Sequence, residues 1–158
     1  MDLETDITVF VGANSAKLTY LLLDISCELR QAIYSTSVIT VDEDDLRVDK
    51  ILINKNKHQA AIFHCPDAFI HPYLFPKLYE ILKTVSLNKQ VIVATYSPIF
   101  LNYFEPRMVR VVERVKGVVT IKSIEQTAHF LAAMEAFDGG LGELWYTNHF
   151  GGNPFRSK

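Results

Sequence analysis

Three short apolar runs punctuate the chain, at residues 7–11 (ITVFV), 59–64 (QAAIFH) and 90–95 (QVIVAT). None alternates between apolar and polar positions, which marks strands covered on both faces of a parallel sheet. The first ends at Gly12, and Leu18, Leu21, Leu22, Ile25 and Leu29 then recur at spacings of three and four, as on one face of a helix. Strand, turn and helix in this order open many α/β folds.

Residues 37–41 read as a further strand, followed by an acidic turn at 42–45, a short strand near 51–53 and a polar stretch at 54–58. Pro72 stands where it can open the helix carrying Leu74, Leu78, Ile81 and Leu82, because the first helical turn needs no donor from that nitrogen. A short helical piece through 100–104 precedes a hairpin of 108–114 and 118–124, turning at Lys116 and Gly117. An amphipathic helix is expected over 125–137, then a glycine- and aromatic-rich tail over 138–158. With no repeat and no linker, the pattern predicts one α/β domain over 1–158: a mostly parallel sheet flanked by helices, with a C-terminal β-hairpin.

Composition narrows the function classes. The chain has 158 residues, 49% of them hydrophobic and 22% charged, enough to bury a real core. A net charge of −2 and an isoelectric point near 6.2 argue against a protein that coats nucleic acid. Cys27 and Cys65 have no framework or CxxC spacing, which fits a reduced compartment. The acidic start is the wrong sign for a targeting peptide, and the apolar runs are too short to span a bilayer. A soluble cytoplasmic protein is the expectation.

Three segments carry the candidate chemistry. The first, from Val11 to Leu22, reads VGANSAKLTYLL. It resembles the phosphate loop of SMC-, OLD- and related ABC-type ATPases, usually GxNGSGKSTLL, and of AAA-type ATPases in that group. In such loops glycines let backbone N–H groups curl around phosphates, a lysine neutralises their oxygens and a hydroxyl holds Mg²⁺. Gly12 and Asn14 match the family, and Thr19 falls on the metal-binding hydroxyl. Ser15 and Lys17 replace two glycines and Leu18 replaces the lysine. Lys17 lies one place early, about 100° around a helix from the usual direction.

The second segment, IFHCPDAFIHP from Ile62 to Pro72, resembles LLIDEPExxLHP, and the third, VIVATYSPIFL from Val91, resembles VIxTTHSPxFL. The resemblance implies a metal-orienting Asp where His64 stands, a water-activating Glu at Cys65, a second Glu at Asp67 and a γ-phosphate-sensing His at Tyr96. Mg²⁺ prefers hard oxygen donors to imidazole or thiol. Pro66, His71 and Pro72 keep the architectural positions. Nothing between about Gln31 and His58 is similar to the LSGGQ-type signature, and the interval is too short for its helical insert.

These matches imply a P-loop-NTPase-like, ABC-type core, truncated and degenerate, that works as a pseudo-ATPase in binding or regulation. No cofactor is expected beyond residual ATP and Mg²⁺, for which Gly12, Asn14, Lys17 and Thr19 are the candidate ligands. A protein partner is implied, either a second copy or a related ATPase, with nucleic acid reached only indirectly and no membrane.

The same residue types also invite other chemistries. His58, His64, His71, His129 and His149 invite zinc, yet neighbours on a strand point to opposite faces, so His64 and Cys65 are not expected to share an ion. Cys65 as a nucleophile needs a base and an oxyanion site, which the sequence does not supply. An inert cysteine is the simpler reading, as is a helix-start role for His71. Arg107, Arg110, Arg114 and Lys116 form the only basic cluster, read as a solvated hairpin. The aromatic tail from Trp145 to Phe155 has two equal readings, as a cap on the core or as a docking surface.

Overall fold

The computed structural model describes residues 7–12, 15–31, 36–39, 60–115, 118–137 and 140–152, with side chains at all of these except 15–17, 28–31, 36–39 and 114–115. The expected acidic turn, the strand near 51–53 and the polar stretch lie outside the described residues.

The elements run β1 (Ile7–Gly12), α1 (Ser15–Gln31), β2 (Thr36–Ile39), β3 (Ala60–His64), α2 (Phe75–Ser86), β4 (Gln90–Thr95), α3 (Pro98–Leu101), β5 (Val109–Val115), β6 (Val118–Ser123), α4 (Ala128–Ala136) and α5 (Leu141–Tyr146). They build one six-stranded sheet in the order β2-β3-β4-β1-β5-β6. The first five strands in that order are parallel, and β6 runs antiparallel to β5. The expected mostly parallel α/β sheet with a terminal hairpin is therefore the observed fold.

Period-two alternation divides the core. Ile7, Val9 and Val11 of β1 point with Phe63, Val91, Val93, Val109 and Val111 toward α2 and the C-terminal helices. Phe10, Ile62, Ile92, Ala94 and Val112 point the other way, against Leu18, Leu22 and Ile25 of α1. Both faces of β1 are buried, which is why its sequence shows no alternation. On the α2 face, Phe100 packs between Phe75 and Phe104 with ring centroids 5.1 Å from each. Full burial of such a ring is worth about 1.5–3 kcal/mol.

Several expectations need correction. Pro72 opens a single 3-10 turn, Pro72–Leu74, and α2 begins only at Phe75 with Pro76 in its own first turn. His71 is the cap of that turn, its Nδ1 accepting from the Tyr73 N–H. The strand expected at 37–41 is Thr36–Ile39. The last predicted helix starts later, at Ala128, where Thr127 caps it by accepting from Phe130 N–H. The tail contains a helix that its glycines concealed, α5, and Trp145 within it is fully buried. Trp145 thus belongs to the core. Arg107 lies before the hairpin, paired to Glu105 at 2.6 Å, and the Arg114 and Lys116 side chains of the expected basic cluster lie outside the described residues. Among the described residues, no helix is long and apolar enough to cross a membrane.

Candidate functional site

Strands β3, β4 and β1 are neighbours in the sheet, so their carboxyl ends bring the three sequence segments together. Val11 sits beside Thr95, and His64 beside Ala94. Helices α1 and α2 cover opposite faces. In open α/β sheets, ligands bind outside the carboxyl ends where the winding reverses.

Gly12 ends β1 in register with Val112 of β5. A Cβ there would lie 2.9 Å from the Val112 carbonyl oxygen. The glycine is therefore required by sheet packing, whatever else it does. Asn14 and the Lys17 side chain lie outside what the structure describes. Leu18, on the position of the family lysine, is fully buried between α1 and the sheet.

Thr19 lies one residue further along α1, and its Oγ1 is hydrogen-bonded to His64 Nε2 at 2.9 Å. The residues matched to the two protein contacts of the magnesium ion thus meet each other directly. His64 Nε2 also lies 3.9 Å from Cys65 Sγ. This corrects the expectation that the two side chains diverge. The strand ends at His64, and Cys65 turns off it with φ of 46°, in the left-handed region that disfavours a side chain. Its N–H is held by the Ala94 carbonyl at 2.9 Å.

The remaining carboxylate, Asp67, is buried at 8% exposure, and its Oδ1 has no hydrogen-bond partner. Burial raises its pKa; a hydrogen bond from Thr95 and one from its own backbone oppose that. Thr95 is itself fixed, accepting from Ser97 N–H at 3.1 Å. Burial, reinforced by the Asp67 charge, pushes the Cys65 thiol up to about 12, so it carries no thiolate at neutral pH. Burial also raises the Tyr96 phenol, with the charges of Cys65 and Asp67 adding to it and the Leu18 backbone N–H, bonded to the hydroxyl, opposing. That N–H lies in the first turns of α1, where phosphate loops direct theirs at a ligand.

Chemically this cluster is a hydroxyl, an imidazole, a protonated thiol, a buried carboxyl and a phenol. It does not fit Mg²⁺, which demands octahedral oxygen donors. Among the described residues, no group of three His, Cys, Asp or Glu is placed to hold a metal ion. The Cys65 thiol, held neutral, is not an activated nucleophile. Sequence reading located Gly12, Thr19, His64, Cys65, Asp67 and Tyr96. It missed Thr95 and the Leu18 N–H, whose roles arise from the register of β4 and the end of α1.

No family model matches the sequence, and no curated protein does. Among solved structures, the chain is similar to an SMC head domain from Thermotoga maritima, with 23% identity and a TM-score of 0.40 over 47% of this chain and 27% of that one. It is also similar to an SMC head bound to the C-terminal winged-helix domain of ScpA, with 20% identity and a TM-score of 0.41 over 56% of this chain and 25% of that one. The chain spans about a quarter of the length of these structures.

Proposed function

We propose that the chain is a pseudo-ATPase of the ABC/SMC/OLD-like group, one degenerate domain that acts in the cytoplasm as a binding or regulatory subunit without efficient ATP hydrolysis. The observation that carries this reading is the Thr19–His64 hydrogen bond at 2.9 Å. It occupies the hydroxyl matched to the metal contact and sets an imidazole where the family has a carboxylate. Supporting it, the Tyr96 hydroxyl takes the Leu18 N–H, and Asp67 is buried at 8% exposure. Gly12 is explained by packing against β5 and need not be kept for a phosphate.

A scaffold kept after its chemistry is gone implies a protein partner, either a second copy or a related ATPase. Phe69 and Tyr73, on the segment after β3, are 72% and 83% exposed, which favours contact with another protein. The test is thermal unfolding with and without Mg-ATP. A ligand bound only to the native state raises Tm by mass action. No shift is expected at millimolar nucleotide. A clear shift that Thr19→Val abolishes would establish residual ATP binding in its place.

A further inference from the structure

The hairpin strand β6 ends the sheet, and among the described residues no strand lies on its outer side. Its residues are exposed on both faces, Thr120 alone being half-buried. Val118, Val119 and Ile121 are 64%, 44% and 38% exposed. Natural edges are blunted by proline, bulges or free charge. β6 has no proline. Its six residues pair with β5 in unbroken register from Val118 to Ser123. Its single charge, Lys122, is drawn back onto Glu113 of the neighbouring strand at 2.8 Å.

We propose that β6 pairs edge to edge with β6 of a second copy, giving a two-fold dimer with a continuous sheet. The occupant follows from the side-chain pattern. A two-fold axis normal to the sheet keeps each face on its own side, so opposed residues must share a face. With the axis at Thr120, Val119 opposes Ile121 of the other copy, twice over, and Thr120 opposes itself. Val118 then opposes Lys122. Apolar meets apolar on one face, and no lysine opposes a lysine. Like charges directly opposite destabilise a strand pair, and this register avoids them. Antiparallel backbones are self-complementary, so nothing further is needed from a partner. This inference is independent of the nucleotide-site reading.

The test combines sedimentation equilibrium with crosslinking, on the whole chain. The wild type dimerises with rising concentration. Val119→Lys and Ile121→Lys, both at exposed positions, each weaken dimerisation at least about tenfold without changing the melting temperature of the monomer. In a Cys27→Ser background, Thr120→Cys oxidises to a disulfide-linked dimer, because opposed Cα atoms at about 5 Å lie within disulfide reach. Ser123→Cys, whose mates stand about 20 Å apart in this register, does not. A wild-type monomer at near-millimolar concentration overturns the proposal. So does a dimer indifferent to both lysines, or crosslinking of Ser123→Cys as fast as that of Thr120→Cys.

Discussion

Thr19 Oγ1 and His64 Nε2, separated by 45 positions in the chain, are hydrogen-bonded at 2.9 Å across the end of the sheet. One lies on α1 and the other at the last residue of β3. The bond ties the first helix to the end of that strand, a structural role for both side chains. A double-mutant cycle measures this role. Thr19→Val and His64→Ala should each destabilise, and the double variant should cost less than their sum by about 0.5–1.5 kcal/mol. Urea unfolding of the four proteins gives the coupling; strict additivity would remove the structural role.

Asp67 makes stability depend on pH in a particular direction. Its folded pKa is raised from the ordinary 3.8 by burial. The folded state therefore holds the proton more tightly than the unfolded one, and its contribution is full below the unfolded value. It is lost as pH rises through the folded value. Asp67→Asn, which keeps an acceptor for Thr95 but cannot ionise, should gain stability at neutral pH. The gain should shrink under acid, as read by denaturation across pH.

The two cysteines should separate under alkylation. Cys27 is exposed, whereas the Cys65 thiol is pushed up to about 12. Iodoacetamide at neutral pH should label Cys65 at least roughly ten times more slowly than Cys27, as resolved by peptide mass spectrometry. Fast labelling of Cys65 would reopen a thiol chemistry at this site.

Cys65 also holds φ of 46°, which costs about 1 kcal/mol or more in a residue with a Cβ. Cys65→Gly should recover part of this and raise Tm. A fall would mean that its packing beside His64 outweighs the backbone term.

Gly12→Ala tests the packing account of the first motif. With a Cβ 2.9 Å from the Val112 carbonyl oxygen, β5 must shift, at about 1–3 kcal/mol. A neutral substitution would return Gly12 to a role in ligand binding.

Burial on both faces leaves its mark on composition, and so the runs that became β1, β3 and β4 could be placed within a residue from their apolar continuity. Thr19, His64, Asp67 and Tyr96 could be singled out because they stand at strand and helix ends in segments with a recognisable order. Trp145 could not be assigned, because an indole serves a core or an interface equally well until its surroundings are known. The packing of α5 on α3, with Asn102 accepting from Gly142 N–H, decided it. The divergence expected of His64 and Cys65 failed for a related reason. Strand periodicity holds only while the strand lasts, and a left-handed residue at its end has no local signature in a cysteine.

Local pattern thus determined which segments are strands and helices, and a resemblance of three short motifs singled out Gly12, Thr19, His64, Cys65, Asp67 and Tyr96 as candidate positions. Tertiary structure alone decided what those residues touch. The order β3-β4-β1 converts distant positions into neighbours, and burial there raises the pKa of Cys65 and of Asp67. Hydrogen bonds and desolvation act over a few ångströms in space, a scale on which separation along the chain carries no information.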